Sequence, residues 1–318
     1  MPDGRYRLEQ EIMPAISDWS ELARGDLLSR RERAGAWSYS AGRSPAAEPT
    51  VLACLGLLES RLKPPAAVTQ KAVQEAAHWL LTIQQEDGSV GVSPSLRQPG
   101  WPTPYAILLW NVLGLAQEQR QRASTWLLAQ KGTVVPAARP GGYSPAGHDG
   151  TLVGWPWTAG THSWVEPTAL SIIALRAEGL GNHPRVAQGT LVIMDRALPR
   201  GGWNYGNTLV FGRELRPQPG PTGLALLALA SCAGKGRHRS VDPAIEYLRQ
   251  TLPTVRAPIS LSWGVLGLRA WNACPAAALS WLAESYALYG ARSDMTAGLG
   301  LLLWASSEAH WPLREHKS

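Results

Sequence analysis

The chain is expected to fold as an all-α (α/α)6 barrel, a toroid of six helical hairpins with residues 1–318 forming one domain. Three observations predict it. Six short runs are apolar nearly all round. More polar runs with helical periodicity alternate with them. Two of the segments leading from a polar run into the next apolar run, 132–163 and 199–220, are long and rich in Gly, Pro and aromatic residues.

The apolar runs are Thr50–Leu58, Tyr105–Leu113, Thr168–Leu175, Thr222–Leu229, Ser262–Leu268 and Thr296–Leu303. Their starts lie 55, 63, 54, 40 and 34 residues apart, a repeat whose loops vary in length. A helix without a polar face is buried on every side. Their Gly and Ala content allows close packing, although each interior Gly costs up to ~1 kcal/mol of helix propensity.

The polar runs supply the outer layer. Val73, Ala76, Ala77, Leu80 and Leu81 follow the i, i+3, i+4, i+7, i+8 pattern of one buried face, while Lys71, Gln74, Glu75 and His78 point away. Similar segments lie near 9–23, 119–131, 185–198, 241–252 and 275–290. Each unit therefore reads as an outer helix, a loop and an inner helix. Six such pairs close into a ring, which removes the ends that an open solenoid must cap. All outer-to-inner loops then emerge at one end of the barrel. Those at 132–163 and 199–220 are long enough to suggest a function.

Composition narrows the class. Charged residues are 17% and hydrophobic ones 45%, which suits a packed chain rather than a disordered one. The charge of +6 is compatible with an anionic lipid surface, but no dense basic stripe points to nucleic acid. The clusters at Arg30, Arg31 and Arg33 and at Lys235, Arg237, His238 and Arg239 read as solvated surface. Cys54, Cys232 and Cys274 are odd in number, widely spaced and set in or beside apolar runs, so buried reduced thiols are expected. No signal peptide opens the sequence, and no run reaches the ~18 apolar residues of a membrane span. A soluble cytoplasmic protein is expected, with peripheral membrane contact left open.

The segment Glu75–Val90, with Trp79, Gln84 and Gly88, resembles the QW repeat of bacterial squalene–hopene cyclases and related triterpene cyclases, except that Val90 replaces the final Trp. A worn copy ends at Gly201-Gly202-Trp203, with fragments at Trp126–Gly132 and Tyr247–Gln250. The motif is expected to staple: the Gln amide satisfies N–H groups at the next helix terminus and the Trp packs over it. Such a role supports fold more than chemistry.

Within that resemblance, Trp164–Ala169 is similar to the acidic Asp-x-Asp-Asp-Thr-Ala motif of class II cyclases. Trp164 and Pro167 replace two of its carboxylates, and Glu166 stands at the proton-donating position. The resemblance implies metal-independent, acid-initiated cyclisation or isomerisation of an isoprenoid, with Glu166 as the acid. Protonating an alkene needs a desolvated carboxyl kept neutral by crowded charge, and Glu166 lacks its motif neighbours. Glu48-Pro49-Thr50 repeats the arrangement, so Glu48 is a second candidate and helix capping an alternative use of both. His162 is positioned to tune the acid or to bond within its loop.

The zinc prenyltransferase β subunit is the other enzyme branch of this fold. Its Asp-x-Cys ligands are missing, as are an Asp-Asp-x-x-Asp magnesium motif and a Walker loop, so no metal or cofactor is expected. Trp37, Tyr39, Trp101, Tyr143, Trp155, Trp157, Trp164, Trp203 and Tyr205 lie in the outer-to-inner loops, and Tyr105 opens an inner helix. These aromatics are expected at one mouth, as the walls of an apolar isoprenoid or lipid pocket or as a plug. The alternatives to a cyclase-like enzyme are a non-catalytic lipid- or protein-binding module and a prenyltransferase-like subunit that needs a partner chain.

Overall fold

The structure is a computed structural model and describes residues 19–58, 66–135, 147–232 and 238–307. Its helices are α1 (19–29), α2 (Ala47–Leu58), α3 (Ala67–Thr82), α4 (Thr103–Val112), α5 (Gln117–Ala129) and α6 (Val165–Ala177). There follow α7 (Pro184–Asp195), α8 (Pro219–Ser231), α9 (Val241–Thr251), α10 (Pro258–Ala270), α11 (Ala278–Tyr289) and α12 (Thr296–Ser306). A two-stranded hairpin, β1 (Leu209–Val210) with β2 (Arg213–Glu214), lies in the loop between α7 and α8. The even-numbered helices form the inner ring and the odd-numbered ones the outer layer. Of the expected outer segment 9–23, residues 9–18 lie outside the described residues.

Burial separates the layers as the patterning predicts. Every residue of α12 is buried, whereas α5 buries only Ala123, Ser124 and Leu127. Each inner helix packs on the next in order, and α12 packs back on α2. This is the (α/α)6 barrel. The outer layer also closes. The Tyr286 hydroxyl of α11 donates to Asp26 of α1 at 2.7 Å, and Arg30 donates to the carbonyls of Gly290 and Arg292. Arg31 pairs with Glu75 and lies over the Trp37 ring. Arg30 and Arg31 therefore join elements rather than only facing solvent, correcting their sequence reading.

Two seams of the inner ring are backbone on backbone. A side chain at Gly223 would strike the Trp263 carbonyl, and one at Gly300 would strike the Leu52 carbonyl, so α8/α10 and α12/α2 reach these distances only with glycine.

The loops are fastened to the ring by a repeated staple. The backbone N–H groups of Trp37, Val90, Trp155 and Trp203 donate to the hydroxyls of Thr50, Thr103, Thr168 and Thr222 at 2.9–3.0 Å. The Trp37, Trp155 and Trp203 indoles donate to the carbonyls of Leu27, Leu127 and Ile193, in the outer helices before them. One residue thus ties an outer helix to the next inner helix. Each neutral bond contributes about 0.5–1.5 kcal/mol net. At α10 and α12 the matching Ser262 and Thr296 hydroxyls are buried without a hydrogen-bond partner among the described residues.

Gln84 does reach the next outer helix, but not by accepting from N–H groups as expected. Its amide nitrogen donates to the carbonyls of Gly88 and Gln119, at 3.0 and 2.9 Å. The three cysteines are free, with Cys54 buried and Cys232 and Cys274 only partly so. Among the described residues no helix is long and apolar enough to cross a membrane.

Candidate functional site

Three consecutive inner helices present their first turns at the mouth of the ring. Glu48 stands in the first turn of α2, Tyr105 in that of α4 and Glu166 in that of α6. Proline helps place both acids. Pro49 and Pro167 follow the glutamates directly, where a missing N–H is harmless and the fixed φ starts the helix. The Thr50 and Thr168 staples then fix each loop against its helix.

Glu48 is held by two phenols. Tyr39 donates to its Oε2 at 2.7 Å, and Tyr105 hydrogen-bonds it from the neighbouring inner helix. Burial raises the Glu48 proton affinity, and the two phenols oppose that rise. Burial pushes the buried Tyr105 hydroxyl well above its usual value, and the charges of Glu48, Glu166 and Tyr39 push it further. Tyr39 is raised for the same first reason, then by Glu48. Both tyrosines therefore stay neutral donors at physiological pH.

Glu166 differs. No side chain caps α6, whose first N–H, that of Val165, donates to the Tyr205 carbonyl at 2.9 Å. The Glu166 carboxyl is not folded back on its helix terminus and has no hydrogen-bond or ion-pair partner among the described residues. Burial, then the charge of Glu48, raises its pKa from 4.5 to about 7. The sequence reading left Glu166 without crowding charge. The structure supplies that charge from two inner helices away. Burial raises both acids, the two phenols oppose that rise only at Glu48, and the charge of an ionised Glu48 favours the proton on Glu166. Two carboxyls whose surroundings separate their proton affinities form an acid beside an anion.

The remaining predicted residues divide into groups. Trp37, Trp155 and Trp203 are fully buried and bonded into the wall between the layers. The staple takes both their backbone and their indole, and Trp155 also lines a cleft between the layers. Tyr39 and Tyr205 are exposed, while Trp101, Trp157 and Trp164 are partly buried. Trp101 meets Trp157 edge-on, with centroids 5.3 Å apart, and Tyr105 at 6.2 Å. A narrow cleft lined by Trp101, Trp126, Trp155, Trp157, Pro104 and Pro167 lies between the layers, next to the first turn of α6. His162 is exposed, with Nδ1 3.5 Å from the Thr133 carbonyl, and the shift of Glu166 arises from burial and Glu48 rather than from it. Tyr143 lies outside the described residues. No cluster of three His, Cys, Asp or Glu able to hold a metal ion occurs among the described residues.

Sequence reasoning named all four members of this cluster but not their association. Glu48 and Glu166 were paired only as copies of one motif, and nothing in the spacing placed Tyr39 and Tyr105 on Glu48.

No family profile and no curated protein matches the sequence. Solved structures match its shape. The type II terpene cyclase MstE from Scytonema, without ligand, is 15% identical and superposes with a TM-score of 0.60 over 92% of this chain and 98% of its own. A point variant of that cyclase in complex with its substrate, geranylgeranyl dihydroxybenzoate, gives 0.58 at 14% identity, covering 92% and 97%. An alpha-amylase from Clostridium perfringens gives 0.56 at 11% identity, covering 91% and 97%. At such identities the likeness is one of fold.

Proposed function

We propose that the protein is a metal-independent, acid-initiating enzyme of the terpene cyclase kind, acting on an isoprenoid. One observation carries this reading: the partly buried Glu166 carboxyl has no hydrogen-bond partner among the described residues, and burial and the charge of Glu48 raise its pKa to about 7. The similar fold of a type II terpene cyclase that binds a geranylgeranyl substrate supports it.

In this mechanism Glu166 donates its proton to a terminal alkene carbon or an epoxide oxygen. Glu166 becomes a carboxylate, and the substrate becomes a carbocation. Ring closure or double-bond migration moves the positive charge along the chain, loss of a proton from carbon to water ends the sequence, and Glu166 regains a proton from solvent. Glu48 raises the donor's proton affinity beforehand and attracts the cation afterwards. Tyr39 and Tyr105 keep Glu48 ionised and aimed. The π-faces of Trp101, Trp157 and Trp164 stabilise cationic character by about 0.5–2 kcal/mol for each well-placed contact.

The test is product analysis with linear and epoxidised isoprenoids, comparing wild type with Glu166→Gln. Removing a general acid lowers turnover by roughly 10²–10⁴-fold. Equal turnover by both would keep the enzyme and remove Glu166 as its acid. Unchanged substrate in both would favour the non-catalytic binding module. An alpha-amylase among the neighbours warrants a starch oligosaccharide in the same panel, since one fold hosts unrelated chemistries.

A further inference from the structure

The hairpin in the loop before α8 is an addition to the repeat. The staple closes between positions 13 residues apart in three loops: Trp37 to Thr50, Val90 to Thr103 and Trp155 to Thr168. In the fourth, Trp203 to Thr222, it closes over 19. The six extra residues equal the length of the hairpin, Leu209 to Glu214. The loop does not need it to reach its feet.

The hairpin turns on Phe211 and Gly212, both with positive φ, at 49° and 74°. Hairpin turns of this kind favour Asn, Asp or Gly, and a bulky side chain there is strained. The residue present is the chain's one phenylalanine, and it is 99% exposed. An exposed aromatic held in a disfavoured conformation at the tip of an added element calls for an apolar partner outside the protein. The exposed Arg200, Arg213 and Arg216 share this loop, none with an ion-pair partner among the described residues, and its one exposed acid is Glu214. The segment leading into the hairpin is tied down: Thr208 donates to the carbonyl of Gly147 in the preceding mouth loop, and the Tyr205 carbonyl receives the N–H of Val165 at the start of α6. Tyr205, Val134 and Val135 expose further apolar surface on the two long mouth loops.

We infer that this hairpin is a membrane-docking finger, with Phe211 entering the interface of an anionic lipid bilayer and the loop arginines meeting its headgroups. An aromatic tip with cationic flanks is the chemistry of an interfacial anchor. A bilayer seated there faces the mouth that carries Glu48 and Glu166. Docking is measured without turnover and stands or falls separately from the acid reading.

The experiment is flotation of the full chain with vesicles of phosphatidylcholine alone and of phosphatidylcholine with one quarter phosphatidylglycerol. Wild type is expected on the anionic vesicles at low salt and to be released as salt rises. Phe211→Asn should weaken binding about tenfold while the melting temperature holds or rises, because Asn accepts the left-handed conformation. Phe211→Trp should retain binding. Arg213→Gln with Arg216→Gln should lose roughly fivefold per arginine. Deleting residues 209–214 should abolish docking and leave a folded barrel. Failure of wild type to float with either vesicle overturns the proposal, and so does equal flotation by Phe211→Asn. Wild type that floats with neither vesicle but self-associates through Phe211 would assign the finger to a protein contact instead.

Discussion

Two arcs of the inner ring are built differently. From α8 through α10 and α12 to α2, the α8/α10 and α12/α2 pairs meet at glycine and the carbonyl of one helix fills the place of a side chain on the other. From α2 through α4 to α6, the first turns carry Glu48, Tyr105 and Glu166, and polar groups stand where the first arc has packing. The first arc is stable because its helices cannot come closer. The second holds two partly buried carboxyls without cationic partners among the described residues, which is unfavourable in isolation. The packing of the first arc offsets the cost of the second, as is common where polar groups are kept for a site.

The contrast can be broken from either side. The largest effect expected is on chemistry: Glu166→Gln should remove roughly three orders of magnitude of turnover with the fold intact, read by product formation and circular dichroism. Gly223→Val acts in the opposite arc. Its branched side chain would strike the Trp263 carbonyl, and the expected loss is about 3 kcal/mol or failure to fold, read by thermal unfolding. Thr222→Val removes one staple and leaves the Trp203 N–H buried without its acceptor. The expected loss is about 1–3 kcal/mol, with any change in turnover following the lost stability.

The smallest effect concerns pH and sharpens the comparison most. Glu166 titrates near 7 in the fold against 4.5 ordinarily. The folded state binds the proton more tightly than the unfolded chain. Stability from the neutral carboxyl is therefore whole below pH 4.5 and lost as pH rises through about 7. Glu166→Gln should match wild type at pH 4 and exceed it at pH 8. Turnover by wild type should fall over the same rise. Glu48→Gln removes the neighbouring charge, so that fall should move to lower pH. An unmoved profile would deny Glu48 its part.

The inner helices are legible because a helix apolar all round has one place to go, and α2, α4, α6, α8, α10 and α12 form where the runs lie. The loop feet are partly legible: the worn QW copy marks Trp203 as a staple, but Trp37 and Trp155 read as mouth aromatics, and a threonine at a helix start reads equally well as an unremarkable first-turn residue. The site is legible only as residue types. Glu48 and Glu166 interact because α4 stands between α2 and α6 in a closed ring, a relation that exists only after closure. The hairpin at Phe211 is too short for strand periodicity to mark, and its evidence is conformational.

The Thr-to-Trp fastening has a consequence for how such a protein can change. Each loop is clamped at two feet, and the clamp does not depend on what hangs between them, as the 13- and 19-residue versions show. The barrel is thus a rack with standard fittings. Cassettes of different length can be exchanged at the mouth while the rack keeps its geometry. Substrate preference and surface attachment can then diverge in one loop without re-solving the packing of the helices around it.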